Sequence, residues 1–412
     1  MSALTRLPAW ARWALYAFAG VLLLTIVQSV SNTERLTAVS SSREMLRWAV
    51  PIFLAGLGGL FSERSGIVNI GLEGMLILGM WFGAWGSITY GPWVGLLIGV
   101  AGGAIGGLLH AIATVTFNVD HIISGVAINI LAPALTRFLS DEIWESPTTS
   151  PATETPDAVD ILFIGGGNIG EWESPDLLLT VANREWWFVS DVAQLLRGLF
   201  TNVHWVSLLA VALVPFTGWL LWRTRFGLRV RIAGENPKAG EAQGINIVRY
   251  KYAAVTMSGA LAGLGGAFIS TELSGLFQGG NSAGRGFIGL AALIFGNWRP
   301  GGVLIGALLF GYVFGLDLRD LDGTASHALL LVNTVVLAGV AIWALTQRRV
   351  SDVIMATLLS LGSLIWWLSA ETVPGWWSNI LPFVLVLLVL MFFAQRLRMP
   401  AALGLPYRKG EG

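Results

Sequence analysis

Apolar residues in this chain fall into blocks of roughly 15 to 25, separated by short charged punctuation. That is the length an α-helix needs, at about 1.5 Å per residue, to cross a hydrocarbon core of about 30 Å. Inside lipid every backbone N–H and C=O must be satisfied within the protein, so such blocks have to be helices. Composition agrees: 54% of the 412 residues are apolar and 12% charged, where a soluble domain carries about a quarter charged, and the mean hydropathy is +0.68. The chain reads as an all-α polytopic membrane protein of about 10–12 transmembrane segments. Candidate spans are 9–30, 48–61, 67–88, 92–117, 121–139, 203–222, 252–273, 286–297, 302–316, 325–346, 351–369 and 379–394. Spans 48–61, 286–297 and 302–316 are short or glycine-rich, so they are expected to be broken or re-entrant elements that line a pathway and are shielded by protein.

The charges carry topology. Arg223, Arg225, Arg229, Arg231, Lys238, Arg249 and Lys251 fill one connection, and Arg348, Arg349, Arg396, Arg398, Arg408 and Lys409 mark others; the positive-inside rule places these in the cytoplasm. Alternating crossings then put 62–65 and 118–120 inside, and put Asp317–Asp322 and Glu371 outside. Both termini are expected in the cytoplasm, with Arg6 and Arg12 ahead of an uncleaved first span. A net charge of zero with dispersed bases excludes nucleic acid as a partner. The absence of cysteine excludes disulfides, thiol catalysis and Cys-ligated zinc.

Four parts follow along the chain: a first transmembrane half, 1–140; an extracytoplasmic, acidic, Trp- and Pro-rich segment, 141–202; a second half, 203–350, containing a basic cytoplasmic segment at 223–251; and an extra C-terminal hairpin with a cytoplasmic tail, 351–412. The second part holds Pro147, Pro151, Pro156, Pro175 and the run Gly165–Gly167. Its Trp172, Trp186 and Trp187 fit either a lipid-interface belt or a docking surface for an external protein.

Gly95, Gly99, Gly103 and Gly107 recur every four residues, a stripe that lets a neighbouring helix backbone approach closely. Leu54-Ala-Gly-Leu-Gly-Gly59 recurs as Leu261-Ala-Gly-Leu-Gly-Gly266. Ser65-Gly66 and Ile70-Gly71-Leu72 are then echoed in order by Ser274-Gly275 and Ile288-Gly289-Leu290. Duplication explains this better than chance, and the topology makes the copies inverted repeats, a common transporter design.

Catalytic groupings are scarce. His110, His121, His204 and His327 are scattered without metal spacing, and no GxxxxGK[ST] phosphate loop occurs. Intramembrane polar residues are more informative, since each is costly unless paired or hydrated. Glu73, about 12 Å along a helix from Ser65, fits either a bond to a re-entrant backbone or the lining of a polar pathway. Asn69 lies one turn earlier, and Asn129, Glu272, Gln278, Asn281 and Arg285 are further pathway candidates. His110 reads as an interhelical hydrogen bond, and Asp120 and His121 as a helix cap. Asn236 followed by Pro237 marks the start of a short cytoplasmic helix, suited either to a soluble partner or to lipid headgroups.

Taken together, Phe61-Ser-Glu-Arg-Ser-Gly-Ile-Val-Asn-Ile-Gly-Leu-Glu-Gly-Met75, Ser124-Gly-Val-Ala-Ile-Asn129, Arg225-Phe-Gly-Leu-Arg229 with Gly234-Glu235 and Gly244-Ile-Asn246, and Gly289-Leu-Ala-Ala-Leu-Ile-Phe-Gly296 with Trp298 resemble the permeases of bacterial ATP-binding cassette (ABC) importers for simple sugars and nucleosides. The likeness is strongest to the nucleoside branch and covers about residues 48–316. It implies a type II importer fold with inverted repeats, and a coupling helix at Gly234, Glu235, Asn236, Pro237, Lys238 and Ala239, continuing to Ala242. It also implies an ABC ATPase subunit holding ATP and magnesium, a second homologous permease chain and a substrate-binding lipoprotein. The chain itself is then not an enzyme and needs no cofactor. A simple-sugar permease and a proton-coupled transporter using Glu73 as relay are the alternatives.

Overall fold

The computed structural model describes residues 9–161, 166–169, 172–184, 186–317, 323–374, 377, 380, 384, 398–408 and 410. Among them the secondary structure is almost wholly helical, and eight helices are long and apolar enough to cross a membrane. Expected residues 318–322, Gly165, Arg396, Lys409 and nearly all of span 379–394 lie outside the described residues, as do Arg6 and the side chain of Arg12. The helices fall into two compact units.

The larger unit comprises residues 47–158, 204–311 and 386–412. It holds most of α2 (Val39–Arg64), then α3 (Leu72–Tyr90), α4 (Pro92–Ala111), α5 (His121–Trp144), α8 (Trp205–Arg223), α9 (Arg225–Glu235), α10 (Pro237–Ala242), α11 (Ile247–Phe268), α12 (Arg285–Phe295) and the first part of α13 (Pro300–Asp317). Its centre is the contact of α3, α4 and α11. A β-carbon on Gly103 would sit 2.3 Å from the carbonyl oxygen of Gly259, and one on Gly259 2.3 Å from that of Gly103. Backbones this close leave no room for any side chain, which accounts for the glycine stripe. Beside it Ala55, Leu76, Met80, Trp81, Ala84, Ile269 and Phe277 form one buried cluster, and the Trp81 indole N–H reaches Ser140 Oγ at 2.9 Å. Both α4 and α11 end in π-helical turns, Ile112–Thr116 and Ile269–Leu273.

One expected span is corrected here. In place of a short element at 48–61, α2 runs for 26 residues. Its polar N-terminal turns stay helical because they find partners: Arg43 Nη2 donates to Thr201 Oγ1 at 2.9 Å in the smaller unit, and Arg47 Nη2 donates to the Glu272 carbonyl at 2.7 Å in the larger. By contrast α12 is as short as expected, at 11 residues. A turn follows in which Asn297 and Trp298 take φ of 52° and 54°.

The smaller unit, residues 1–46, 159–203 and 312–385, contains α1 (Ala9–Ser31), α6 (Leu177–Ala182), α7 (Val189–Phe200), α14 (Thr324–Thr346) and α15 (Val350–Ser369). Asp191 on α7 accepts from Thr37 Oγ1 at 2.7 Å and Gln28 Nε2 at 3.3 Å. Ser360 and Ser363 of α15 donate to the carbonyls of Thr334 and Leu330 on α14 at 2.9 and 2.8 Å. The stretch 141–202 is therefore partly helical, and Asn168–Ile169 pair antiparallel with Trp172–Glu173. Trp186 and Trp187 are exposed.

Candidate coupling and pathway site

Where the sequence pattern suggested one continuous span from 67 to 88, the chain breaks between α2 and α3. Ser62 Oγ donates to the Ile67 carbonyl at 2.8 Å and Ser65 Oγ to that of Ser62 at 2.7 Å, while Gly66 takes φ +89°. Side chains compete with the helix for these backbone groups, and glycine supplies the left-handed turn. The freed backbone groups that follow are caught from α4 and α5. His110 Nε2 contacts the Val68 carbonyl at 3.0 Å and its Nδ1 contacts Ser124 Oγ at 2.8 Å, so this histidine is the interhelical bond expected of it. Val68 N donates to His121 Nδ1 at 3.4 Å, and Asn129 Nδ2 donates to the Ile70 carbonyl at 3.0 Å. Asp120 caps α5 as expected, accepting from the N–H groups of Ile122 and Ile123.

Glu73 consequently lies in the first turn of α3, not 12 Å down a helix from Ser65, and Asn69 lies before the helix. The Glu73 carboxylate accepts from Gly284 N at 3.1 Å and Gly286 N at 2.7 Å, the N-terminus of α12. A β-carbon on Gly286 would fall 2.5 Å from Glu73 Cα. Two helix N-termini thus meet on one carboxylate, whose charge suits their partial positive ends. Asn129 Oδ1 accepts from Gly74 N at 2.8 Å, and Asn69 Nδ2 donates to Ser258 Oγ at 2.9 Å. Arg285 stacks 4.3 Å from the Trp48 ring centroid and donates to the Asn281 and Ser282 carbonyls at 2.5 and 3.0 Å; Asn281 Nδ2 also bonds Ser274 Oγ. Asn69, Glu73 and Arg285 are buried, and Asn129 and Asn281 are half-buried. The structure brings these five to the two helix starts, while Gln278 is exposed in the loop before α12.

The basic segment is ordered by its own capping. Thr224 Oγ1 accepts from Gly227 N to start α9, and Asn236 Oδ1 accepts from Ala239 N at 3.0 Å to start α10, with Pro237 in its first turn. Glu235, Asn236, Lys238 and Ala239 are exposed, whereas Gly234 is buried. A β-carbon on Gly234 would lie 2.3 Å from the Arg64 carbonyl oxygen, so the end of α9 rests directly on the start of the break. Arg64 Nη1 approaches Glu235 Oε1 at 3.8 Å, Arg64 Nη2 donates to the Trp298 carbonyl at 2.7 Å, and the guanidinium covers the Trp222 ring at 5.4 Å. Trp298 in turn donates to Glu63 Oε2 at 2.6 Å. The exposed segment and the buried break are one connected structure.

A family model described as "Branched-chain amino acid transport system / permease component" matches residues 42–318. The chain belongs to this permease family. Among curated relatives it is 37% identical over 276 residues to the nucleoside ABC transporter permease protein NupC of Lactococcus lactis, covering 65% of this chain and 78% of that one. It is 32% identical over 373 residues to the guanosine ABC transporter permease protein NupQ of Bacillus subtilis, covering 89% and 95%. It is 33% identical over 294 residues to a putative glucose ABC transporter permease of Haloferax volcanii, covering 71% and 80%. No solved structure matches. The permease is therefore a multi-pass membrane subunit of an ABC transporter, a class that works with ATPase and substrate-binding partners.

Three features of the permease escaped the sequence reading. Arg64 and Trp298 stood within the quoted motifs, yet nothing in their spacing joins them. His204 Nδ1 pairs with Glu272 Oε2, whose carboxylate is fully buried in the π-turn after α11. Residues 401–408 and Gly410 lie on the basic segment, and Tyr407 OH donates to Glu241 Oε2 at 2.8 Å. Desolvation and the Glu241 carboxylate push the Tyr407 phenol up to about 12, so it remains a donor at physiological pH.

Proposed function

We propose that the permease moves nucleosides into the bacterial cytoplasm by alternating access, driven by a partner ATPase seated on α9 and α10. The observation carrying this reading is the contact of Gly234 and Glu235 with Arg64. It ties an exposed, capped, cation-bearing segment to the chain break at whose far end Glu73 joins α3 to α12. Closure of the ATPases would displace α9–α10, and the displacement would pass through Arg64 and Gly66 to the helix starts at Glu73, Asn129, Asn69, Arg285 and Asn281, which border the translocation pathway. ATP and magnesium belong to the partner ATPase. A second homologous permease chain completes the pathway, a lipoprotein delivers substrate from outside, and both termini face the cytoplasm. Nucleoside is favoured as substrate by the relatives named for nucleoside and guanosine; the relative named for glucose makes a simple sugar the second reading. A proton relay through Glu73 is disfavoured, because two backbone N–H groups already occupy that carboxylate.

Uptake of labelled guanosine, adenosine and glucose into vesicles holding the complete complex tests this. ATP-dependent nucleoside uptake that survives a collapsed proton gradient is expected. Replacing Glu235–Lys238 by Gly and Ser, or making Arg64→Met, should lower uptake at least tenfold while the chain still folds. Unchanged uptake in the loop variant would remove the coupling assignment.

A further inference from the structure

α12 lies across the chain break like a splint. Its 11 residues span about 16 Å at the helical rise, and both ends and the middle rest on residues that flank the break. The start is held beyond it, where the N–H groups of Gly284 and Gly286 donate to the Glu73 carboxylate. The middle lies on α2: a β-carbon on Gly289 would fall 2.8 Å from Gly56 N, and one on Gly56 2.6 Å from the Gly289 carbonyl oxygen. The far end is held before the break, where Trp298 Nε1 donates to Glu63 Oε2 at 2.6 Å and Arg64 Nη2 donates to the Trp298 carbonyl at 2.7 Å. A helix fixed on both sides of a joint keeps the joint closed, so movement between α2 and α3 has to free one end of α12.

The two ends differ. At the start, left-handed backbone falls on Ala283 and Gly284, at φ 45° and 75°; at the far end it falls on Asn297 and Trp298, at 52° and 54°. Glycine takes that region freely and asparagine readily, whereas a residue as bulky as tryptophan is an outlier there. Glu63 and Trp298 are buried, and the engaged indole and carbonyl hold the turn in place. One of those two holds is shared with the exposed end of α9, because Arg64 also approaches Glu235 Oε1 at 3.8 Å. Whatever moves Glu235 therefore bears first on the Trp298 end.

Resting on the coupling reading above, we infer that Trp298 is a positioning residue for transport: it is the releasable end of α12, let go by Glu63 and Arg64 when the ATPase displaces α9, while Glu73 keeps the other end. The break then bends only when ATP is used.

In the complete complex, amide exchange at 296–299 should quicken roughly tenfold or more on passing from the nucleotide-free state to one trapped with ATP and vanadate, while exchange at 284–288 stays slow. Trp298→Phe keeps the ring and loses the N–H, so the break should bend without waiting for ATP. Guanosine taken up per ATP hydrolysed should then fall roughly tenfold, the fold-change that corresponds to one charge-assisted hydrogen bond. Glu63→Gln, which keeps an acceptor, should lose less than Glu63→Leu. A residue that only supported the fold would lower the yield of complex and leave this ratio alone. Slow exchange at 296–299 in the trapped state, quickening at 284–288 in its place, or a normal ratio in Trp298→Phe would each overturn the inference. Failure of the coupling reading looks different: the Glu235–Lys238 loop variant would then itself keep the normal ratio.

Discussion

The two copies of Leu-Ala-Gly-Leu-Gly-Gly lie in α2 and α11 and lead to opposite kinds of ending. After the first, the helix stops at Arg64, and Glu73 is satisfied by backbone N–H groups of α12. After the second, the helix widens into the π-turn Ile269–Leu273, and Glu272 pairs with His204. Each copy is followed by a Ser-Gly whose glycine is left-handed, Gly66 at φ +89° and Gly275 at φ +68°, so the echo extends to backbone conformation. The partners differ. The first ending is wired to the end of α9 through Arg64 and Gly66. The second is wired to residues 146–155, since Ser150 N donates to the Phe277 carbonyl at 2.9 Å and Thr153 N to that of Gly275 at 2.8 Å. Duplication has kept the close-packing letters and let the following residues decide what each ending responds to. π-Turns concentrate at functional sites, and this one is held by residues 146–155.

Small residues at matching positions of the two copies give the largest test. A β-carbon on Gly266 would sit 1.9 Å from the Leu76 carbonyl oxygen, whereas one on Gly59 would meet only side-chain methyls, Leu293 Cδ2 at 3.1 Å and Leu72 Cδ1 at 3.2 Å. Backbone cannot yield and a leucine tip can. Gly266→Ala is expected to cost about 3 kcal/mol or more, and Gly59→Ala under about 1.5 kcal/mol. The yield and Tm of monodisperse protein in detergent would show it, and equal losses would mean that the copies are packed alike.

The carboxylates come next. Glu73→Ala leaves two buried N–H groups without an acceptor, about 2–4 kcal/mol. Glu272→Gln keeps an amide that can still hydrogen-bond His204, about 1–2 kcal/mol. Thermal unfolding should rank them in that order. A reversed ranking would make the His204–Glu272 pair, not the joined helix starts, the stronger clasp.

How much of this was legible in the sequence depends on the range of the signal. Hydropathy placed most spans to within a few residues, the glycine stripe announced close backbones, and Asn236-Pro237 announced α10, because each is a local rule of period or capping. The break at 66–71 was invisible to hydropathy, since Ile67, Val68 and Ile70 are apolar whether or not they are helical. Its cause lies in Ser62, Ser65 and in His110, His121 and Asn129 reaching over from elsewhere. The start of α2 was missed for the converse reason: a window average sees Arg43, Glu44 and Arg47 as charge, and only the fold supplies Thr201 and the Glu272 carbonyl. The five pathway candidates stand out in the sequence as costly polar residues and gather at one place, yet their engagement with backbone has no signature in spacing. The seat of the tail has no local signature at all.

The smallest effect separates the two endings most finely. Thr153 Oγ1 donates to the Ser270 carbonyl at 2.9 Å and Thr155 Oγ1 to the Thr271 carbonyl at 2.7 Å. These are carbonyls at the end of the helix, where intrahelical donors run out, so the two threonines act as caps supplied from the connection that follows α5. Each bond is worth about 1 kcal/mol, and the double change Thr153→Val/Thr155→Val should destabilise the π-turn locally by about 2 kcal/mol. Amide exchange at 269–274 should then quicken by roughly thirtyfold while that at 66–70 is unchanged, because local opening follows local stability. Exchange that quickened equally at both places would show that the endings open as one unit, and residues 146–155 and α9–α10 would then bear on a single shared element.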